Sequence, residues 1–388
     1  MKAIAVLICV AAVALVDVAA AAEPLRPAKV LVVMRTREAT RHIQLARGNR
    51  LGEPVFFTDT TPMNAAYKSS ALDFDRDSPL TAALTLAFRD RAPFVELATS
   101  ADRDRYMSGA PFDKPTEAAR QEGFDFVLAL YDDFVGFGPR GTLDDEAGLL
   151  RPVYGLSFGL FDLATKRAMQ RGSVHSYGYQ PASFDGTARD LALFPRTWPY
   201  LCLMNSTDIV DELVRKDAVH AIAARVGRGA EYPAVRSDIE AYRKRLAWRL
   251  QPASGWIERR SGAFDRLMIP KGDLGKFVWM YVDAELLLPA LGQQAQTVEE
   301  FVRIYYRDRT RLMPDSPLEV FADINAPGYG AWRYVEPSGE HELVFVRKTS
   351  AMTMQVMTLT IVGKFDEIYP PLRGKLEQML ANSSVTLN

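Results

Sequence analysis

The chain is 388 residues long, with 48% hydrophobic residues, 10% aromatic residues and a formal net charge of −1. That apolar content suits packed cores and excludes general disorder, and the near-neutral balance gives no electrostatic footprint for nucleic acid or an anionic membrane. The length predicts two domains.

Met1-Lys2 is followed by an almost wholly apolar run, Ala3 to Val16, then Asp17 and the small residues Ala19 to Ala22. One positive charge, a short apolar core and an Ala20-x-Ala22 exit describe a cleavable secretory signal peptide, residues 1–22. A membrane span needs about 20 apolar residues, and Asp17 falls where such a span would still be buried. Cys9 lies inside the apolar core behind Ile8, which does not suit lipid attachment. Cleavage near Ala22 is expected to leave a periplasmic or secreted protein, not an integral membrane protein. Cys202 is then the only cysteine. Set in Trp198-Pro199-Tyr200-Leu201-Cys202-Leu203-Met204, it reads as a buried, inert thiol.

The expected N-terminal α/β domain, residues 23–230, opens with Ala28 to Met34 (AKVLVVM), which reads as a buried strand. A helix is expected from a Ser78 cap through Arg89, with Leu80, Leu84 and Phe88 as its stripe. A second, Thr116 to Gln121, ends at Gly123. Phe124 to Tyr131 reads as a strand, followed by a Gly- and acid-rich loop from Asp132 to Gly148. Two strands, Val153 to Asp162 and Arg167 to Tyr179, flank the turn Ala164-Thr165-Lys166. Leu201 to Val226 reads as one helix with Ile209, Leu213, Val219, Ile222 and Val226 inward. The order β, α, α, β, β, β, α predicts a mixed sheet with helices packed on it.

Residues 231–254 read as a helical linker. Tyr232 to Leu250 is an Arg-rich helix whose charges form a solvated face, and Pro252-Ala253-Ser254-Gly255 marks the boundary. In the C-terminal domain, 255–388, Phe264 to Ile269 and Phe277 to Asp283 read as strands. Thr297 caps a helix and forms a capping box with Glu300, placing Val298, Phe301, Val302 and Tyr305 on one face. Three strands follow, Tyr329 to Val335, Leu343 to Lys348 and Thr353 to Ile361, with Pro337-Ser338-Gly339 turning the first pair. Pro370 and Pro371 start a final helix carrying Leu372, Leu376, Met379 and Leu380 inward. The fold class expected for the whole is α+β: a mixed sheet with helices, then an antiparallel-sheet sandwich.

Several segments carry a family resemblance. They are Leu267-Met268-Ile269-Pro270, Gln296 to Phe301, Ala331-Trp332-Arg333-Tyr334, Val344-Phe345-Val346, Thr358 to Ile361 and Leu380 to Ser384. The C-terminal third that contains them resembles the PsbP-like α/β sandwich domains, which implies a domain that binds or stabilises other proteins. Gly159-Leu160-Phe161-Asp162 entering Ala164-Thr165-Lys166 is similar to the envelope domains of the CsgG, LpoB and TolB N-terminal type. Neither resemblance assigns a role to a residue.

Four patterns touch on chemistry. Gly155-Leu156-Ser157-Phe158-Gly159 matches G-x-S-x-G, with His220 and His341 downstream as bases and Asp208 and Asp211 between. Large and small residues alternate through it, however, which is the period of a strand passing straight through. Gly136-Phe137-Gly138-Pro139-Arg140-Gly141 matches G-x-G-x-x-G, but Asp144, Asp145 and Glu146 fall where a pyrophosphate would sit, so no cofactor is expected. The four histidines, His42, His175, His220 and His341, lack paired spacing. Met352 and Met354 would point opposite to Met357 on a strand, so no metal is expected. The remaining candidate is a binding loop, where Asp132, Asp133, Phe134, Phe137 and Arg140 gather acid, aromatic and basic side chains. The reading is a non-catalytic accessory protein that binds another envelope component. The alternatives are an envelope serine hydrolase using Ser157, and a small-ligand carrier with its site between the domains.

Overall fold

The structure, a computed structural model, describes residues 26–35, 44–48, 54–57, 74–109, 114–138, 150–178, 190–261, 265–287, 295–336, 339–351 and 353–387. The expected signal peptide, His42, residues 139–148, Pro337, Ser338 and Met352 lie outside the described residues. The fold is α+β: a mixed sheet with helices, followed by an antiparallel sheet with helices.

The first half runs β1 (Ala28–Arg35), β2 (Gln44–Gly48), β3 (Pro54–Phe57), α1 (Asp77–Arg91), β4 (Val95–Ser100), α2 (Arg103–Tyr106), β5 (Met107–Ser108), β6 (Lys114–Pro115), α3 (Glu117–Gln121), β7 (Phe126–Gly138), β8 (Arg151–Asp162) and β9 (Arg167–Tyr177). Then come α4 (Leu193–Arg215), α5 (Ala218–Arg225), α6 (Arg236–Arg245) and β10 (Leu246–Arg249). β1 pairs in parallel with both β4 and β7, and β7, β8 and β9 continue antiparallel from the other side. Strand alternation divides the sheet into two faces. Val30, Val32, Leu128, Leu130, Leu156 and Phe158 pack with Leu84, Phe88, Trp198, Cys202, Ile209 and Leu213 beneath α1 and α4. Leu31, Val33, Val127, Ala129 and Tyr131 meet Tyr106, Met107 and Ala119 on the opposite face. Covered on both faces, β1 has to be a continuous apolar run. The Phe158 ring fills the space that Gly172 leaves on β9, where an added Cβ would stand 2.8 Å from two ring carbons.

Helix ends depart from expectation for local reasons. Asp75, not Ser78, caps α1, its Oδ1 accepting from the Asp77 and Ser78 amides at 3.2 and 3.1 Å. The single expected helix to Val226 is broken at Asp217, which takes a left-handed φ of 61°. Its carboxylate then accepts from the Val235 and Arg236 amides at 2.7 and 3.0 Å, so the residue that ends one helix anchors the start of another. The Arg-rich helix stops at Arg245 because Leu246 turns extended and β10 pairs antiparallel with β18 (Ser384–Leu387). The expected linker is thus divided. Val235 and Ile239 join the first core, whereas Leu246 and Trp248 pack on the second.

The second half contains β11 (Trp256–Ser261), β12 (Asp265–Pro270), β13 (Val278–Leu286), α7 (Val298–Leu312), β14 (Leu318–Val320), β15 (Gly330–Val335), β16 (His341–Ser350), β17 (Thr353–Ile361) and α8 (Phe365–Asn382) before β18. The sheet order is β11-β12-β13-β17-β16-β15-β14. α8 covers one face through Leu372, Leu376, Met379 and Leu380 against Met280, Phe345, Met357 and Leu359. α7 covers the other through Phe301, Val302 and Tyr306 against Tyr334, Val344, Val346 and Met354. The Thr297–Glu300 capping box forms as expected. The α7 face differs by one residue, because Tyr306 is 1% exposed and Tyr305 is 43% exposed. α8 begins at Phe365, ahead of its prolines. Phe365 and Tyr369 stack at 4.9 Å in its first turns, and the Tyr369 hydroxyl donates to the Asp323 carbonyl.

The two halves are joined by charge. Arg151, at the start of β8, donates to Glu340, at the turn entering β16, at 2.6 Å with both side chains almost fully buried. Asp90, at the end of α1, faces Arg311 and Arg307 of α7 at 2.8 and 3.4 Å. Removing one member of a buried ion pair leaves an uncompensated charge and costs about 3–5 kcal/mol. Arg151→Met should therefore lower unfolding stability by about 3–5 kcal/mol in denaturant melts, and adding Glu340→Leu should recover most of that loss.

Candidate functional site

Asp132 to Phe137 do not form a loop. β7 continues through them to Gly138, and Arg140 lies outside the described residues. Phe134 and Phe137 are fully buried and Asp132 is 6% exposed. The strand runs on because β8 pairs along its whole length, with a bulge between Asp132 and Phe134. The two neighbouring acids point in different directions. Asp132 accepts from the Tyr154 hydroxyl at 2.7 Å and from Arg76 at 2.5 Å. Arg76 in turn lies over the Trp198 ring at 5.2 Å, and its carbonyl accepts from the Trp198 indole at 3.1 Å. Asp133 instead accepts a hydrogen bond from Ser157. The set is therefore a core clasp and a cross-strand contact, not an exposed cluster.

The G-x-S-x-G segment is strand throughout, and Ser157 pairs in register with Tyr131 and Ser173. The histidines expected as bases are engaged elsewhere: His220 Nδ1 meets the Tyr232 carbonyl at 2.6 Å, and the His341 ring stacks on Phe365 at 4.4 Å. Gly136 and Gly138 are also strand residues. Cys202 is fully buried, and burial followed by the nearby Asp132 pushes its thiol well above the ordinary range. Met354 and Met357 enter cores on opposite faces of the second sheet. Among the described residues no group of three or more His, Cys, Asp or Glu side chains converges to hold a metal.

The polar groups that converge lie between the two halves. On α4, Met204, Asp208, Asp211 and Arg215 recur at spacings of four, three and four, a helical stripe on the side away from Ile209 and Leu213. On α7, Phe301, Ile304, Tyr305 and Asp308 form the facing stripe. With Arg91, Thr207, Glu285, Arg307 and Arg309 they line a cavity of about 240 Å³. A second cavity of about 190 Å³ adjoins it through the shared Tyr305 and Arg309 and includes Asp283 and Glu342. Most charges on these walls are paired. Arg91 donates to Asp211 and lies 3.8 Å from Asp308, and Arg309 reaches Glu342 at 2.7 Å beside the Tyr306 hydroxyl. Burial and then the Glu342 charge push the Tyr306 phenol well above its ordinary range. The expected binding loop missed this constellation, although Asp208, Asp211 and Arg215 recur in the sequence of α4 at helical spacing.

Glu285 is raised above the usual carboxyl range, chiefly by burial and then by the neighbouring Asp283. Asp208 is raised to about 7, chiefly by burial and then by Asp211, with Arg215 and Arg91 acting in the opposite sense. In an unfolded chain an aspartate titrates near about 3.9. Between those two values the folded chain keeps a proton that the unfolded chain has released, so stability falls as pH rises from about 4 to about 7. Asp208 is nevertheless exposed to solvent, which discounts the contribution of burial and keeps the effect modest. Asp208→Asn should flatten this slope, as read from melting temperatures across pH 5 to 8, each taken as an approximate setting.

No family model matches this chain, and no curated protein matches it either. Among solved structures it is similar to a protein of family model DUF330 from Xanthomonas campestris, at 11% identity and a TM-score of 0.26, over 50% of this chain and 90% of that one. It is similar to the cyanobacterial PsbP (CyanoP) from Synechocystis at 12% identity and a TM-score of 0.24, over 36% of this chain and 92% of that one. It is also similar to TolB from Acinetobacter baumannii at 8% identity and a TM-score of 0.20, over 86% of this chain and 61% of that one.

Proposed function

We propose that this chain is a non-catalytic accessory protein of the periplasm that binds another envelope protein through the β9 edge of its first sheet. The carrying observation is that edge. β9 is 11 residues long and, among the described residues, pairs with β8 alone. An extended partner segment can add as the next strand, with main-chain hydrogen bonds supplying affinity and alternate side chains supplying selectivity. Arg167, Arg171, Ser173 and His175 are exposed along β9. Exposed Arg167 on this edge favours a partner strand carrying acidic residues. No helix among the described residues is long and apolar enough to cross a membrane, and export is assigned to the N-terminal apolar run.

The hydrolase reading is weaker because its serine lies within a regular strand and donates to Asp133, whereas an elbow serine stands exposed on a strand-to-helix turn. Two measurements separate the readings. A fluorophosphonate probe should leave the purified protein unlabelled, and labelling that disappears in Ser157→Ala would replace this proposal with catalysis. Photo-crosslinking residues placed at Ser173 or His175 should capture an envelope protein, whereas one placed at exposed Lys364 should not. Recovery of the bare chain from the β9 positions, under conditions where a known envelope complex crosslinks, would refute the edge as the docking surface.

A further inference from the structure

We infer that the cleft between the two halves is a binding site for a small zwitterion of the amino-acid class. Its ammonium would lie between Asp208 and Glu285, and its carboxylate at Arg215. This goes beyond docking at β9, since neither β9 nor β8 lines the cavity.

The argument begins with which charges are left over. Of the cations on the cavity wall, Arg91 is taken by Asp211, Arg307 lies 3.4 Å from Asp90, and Arg309 is taken by Glu342. Asp211 and Asp308 are accordingly occupied. Asp208 and Glu285 have no ion pair among the described residues, Glu285 instead sharing a hydrogen bond with Asp283, and Arg215, also without an ion pair among them, acts on both from longer range. Two acids and one base facing a common cavity call for a ligand that carries both signs.

A second observation concerns the donors. Arg91 is 8% exposed, and its Nη1 has no hydrogen-bond partner, although its Nε is engaged by Asp211. Thr207 Oγ1, on the same wall, is also buried without a partner. Leaving such atoms unmet costs about 1–3 kcal/mol each, more for a charged group. A ligand carboxylate at this wall would meet that donor with a charge-assisted hydrogen bond once the Arg91 side chain turned its Nη1 toward the cavity.

The rest of the wall sets size and body. Met204, Phe301 and Ile304 are apolar, and the exposed Tyr305 ring offers a face to a cation. A volume of about 240 Å³ holds roughly eight waters at about 30 Å³ each, which suits a single amino acid and excludes a folded peptide. The affinity of the Glu285 carboxyl for a proton points the same way, because an ammonium supplies positive charge at a carboxyl that burial disfavours as an anion. A divalent metal fits less well, since it needs more oxygen ligands than these two carboxyls provide. The walls are also held in advance by Arg151–Glu340 and by Asp90 with Arg307 and Arg311, so little ordering remains for a ligand to impose.

The test is calorimetric titration of the full mature chain with the twenty proteinogenic amino acids and 5-aminovalerate. At least one should bind. For the best binder, the matched amine lacking the carboxylate and the matched acid lacking the amine should each bind at least about tenfold more weakly. Glu285→Gln, Asp208→Asn and Arg215→Gln should each weaken binding by about tenfold or more while retaining the circular dichroism of the parent. The inference is overturned if no member of the panel binds at millimolar concentration, or if either half-ligand matches the zwitterion. It is also overturned if magnesium or calcium binds in the panel's place. The half-ligand comparison uses the unaltered chain, so a variant that fails to fold does not shelter the idea. Crosslinking from β9 reads the docking surface independently, so the two proposals fail separately.

Discussion

Everything between the two sheets depends on a pair of charges removed from water. An isolated guanidinium or carboxylate is too costly to bury, so Arg151 and Glu340 can be this deep only where each finds the other. Their positions make the constraint geometrical. One stands at the first residue of β8 and the other at the turn entering β16, so a rotation of one half against the other would separate them. Apolar contact alone tolerates sliding, but a buried ion pair does not. The Asp90 contacts to Arg307 and Arg311 add a second point of attachment at the end of α1. Two attachment points fix an angle, and the α4 and α7 stripes face each other across a cleft of defined width.

The first sheet uses a related economy at Asp132 and Asp133. Ordinary strand alternation would put them on opposite faces anyway, but the bulge lets β7 and β8 resume register beyond them and continue to Gly138. One acid then joins Arg76, Tyr154 and Trp198 inside the main core, while its neighbour accepts from Ser157 on the other face. Apolar packing positions the sheet, and this clasp ties α1, β7, β8 and α4 to a common point.

Regular periodicity made much of this architecture legible. β1, β8, β17, the α7 capping box and the inward stripe of α8 could be read because each repeats at the period of its element. The α+β class followed from their order. Other features were not legible for reasons that can be named. β7 was cut short at Tyr131 because Asp132, Asp133 and the glycines carry loop chemistry, and only pairing with β8 overrides it. Leu246 to Arg249 fit a helical stripe, yet their hydrogen bonds go to β18, a partner that local pattern does not reveal. The cleft was missed because its members come from α1, α4, β13 and α7, each ordinary by itself. The α4 spacing of Asp208, Asp211 and Arg215 was the one local sign, and it resembles any solvated helix face until α7 lies opposite it.

β10 and β18 are short, but they bracket the whole second sheet and lie side by side, paired from Leu246–Leu387 to Arg249–Ser384. The second half is therefore a closed mechanical loop: its chain enters and leaves through neighbouring strands. Tension applied along the polypeptide would be borne first by this latch, and the seven-stranded sheet would be shielded until the latch opened. The Arg151–Glu340 contact lies outside that load path, on a hairpin turn within the loop. A pull on the chain could thus open the latch while leaving the seating of the two halves, and the cleft between them, intact.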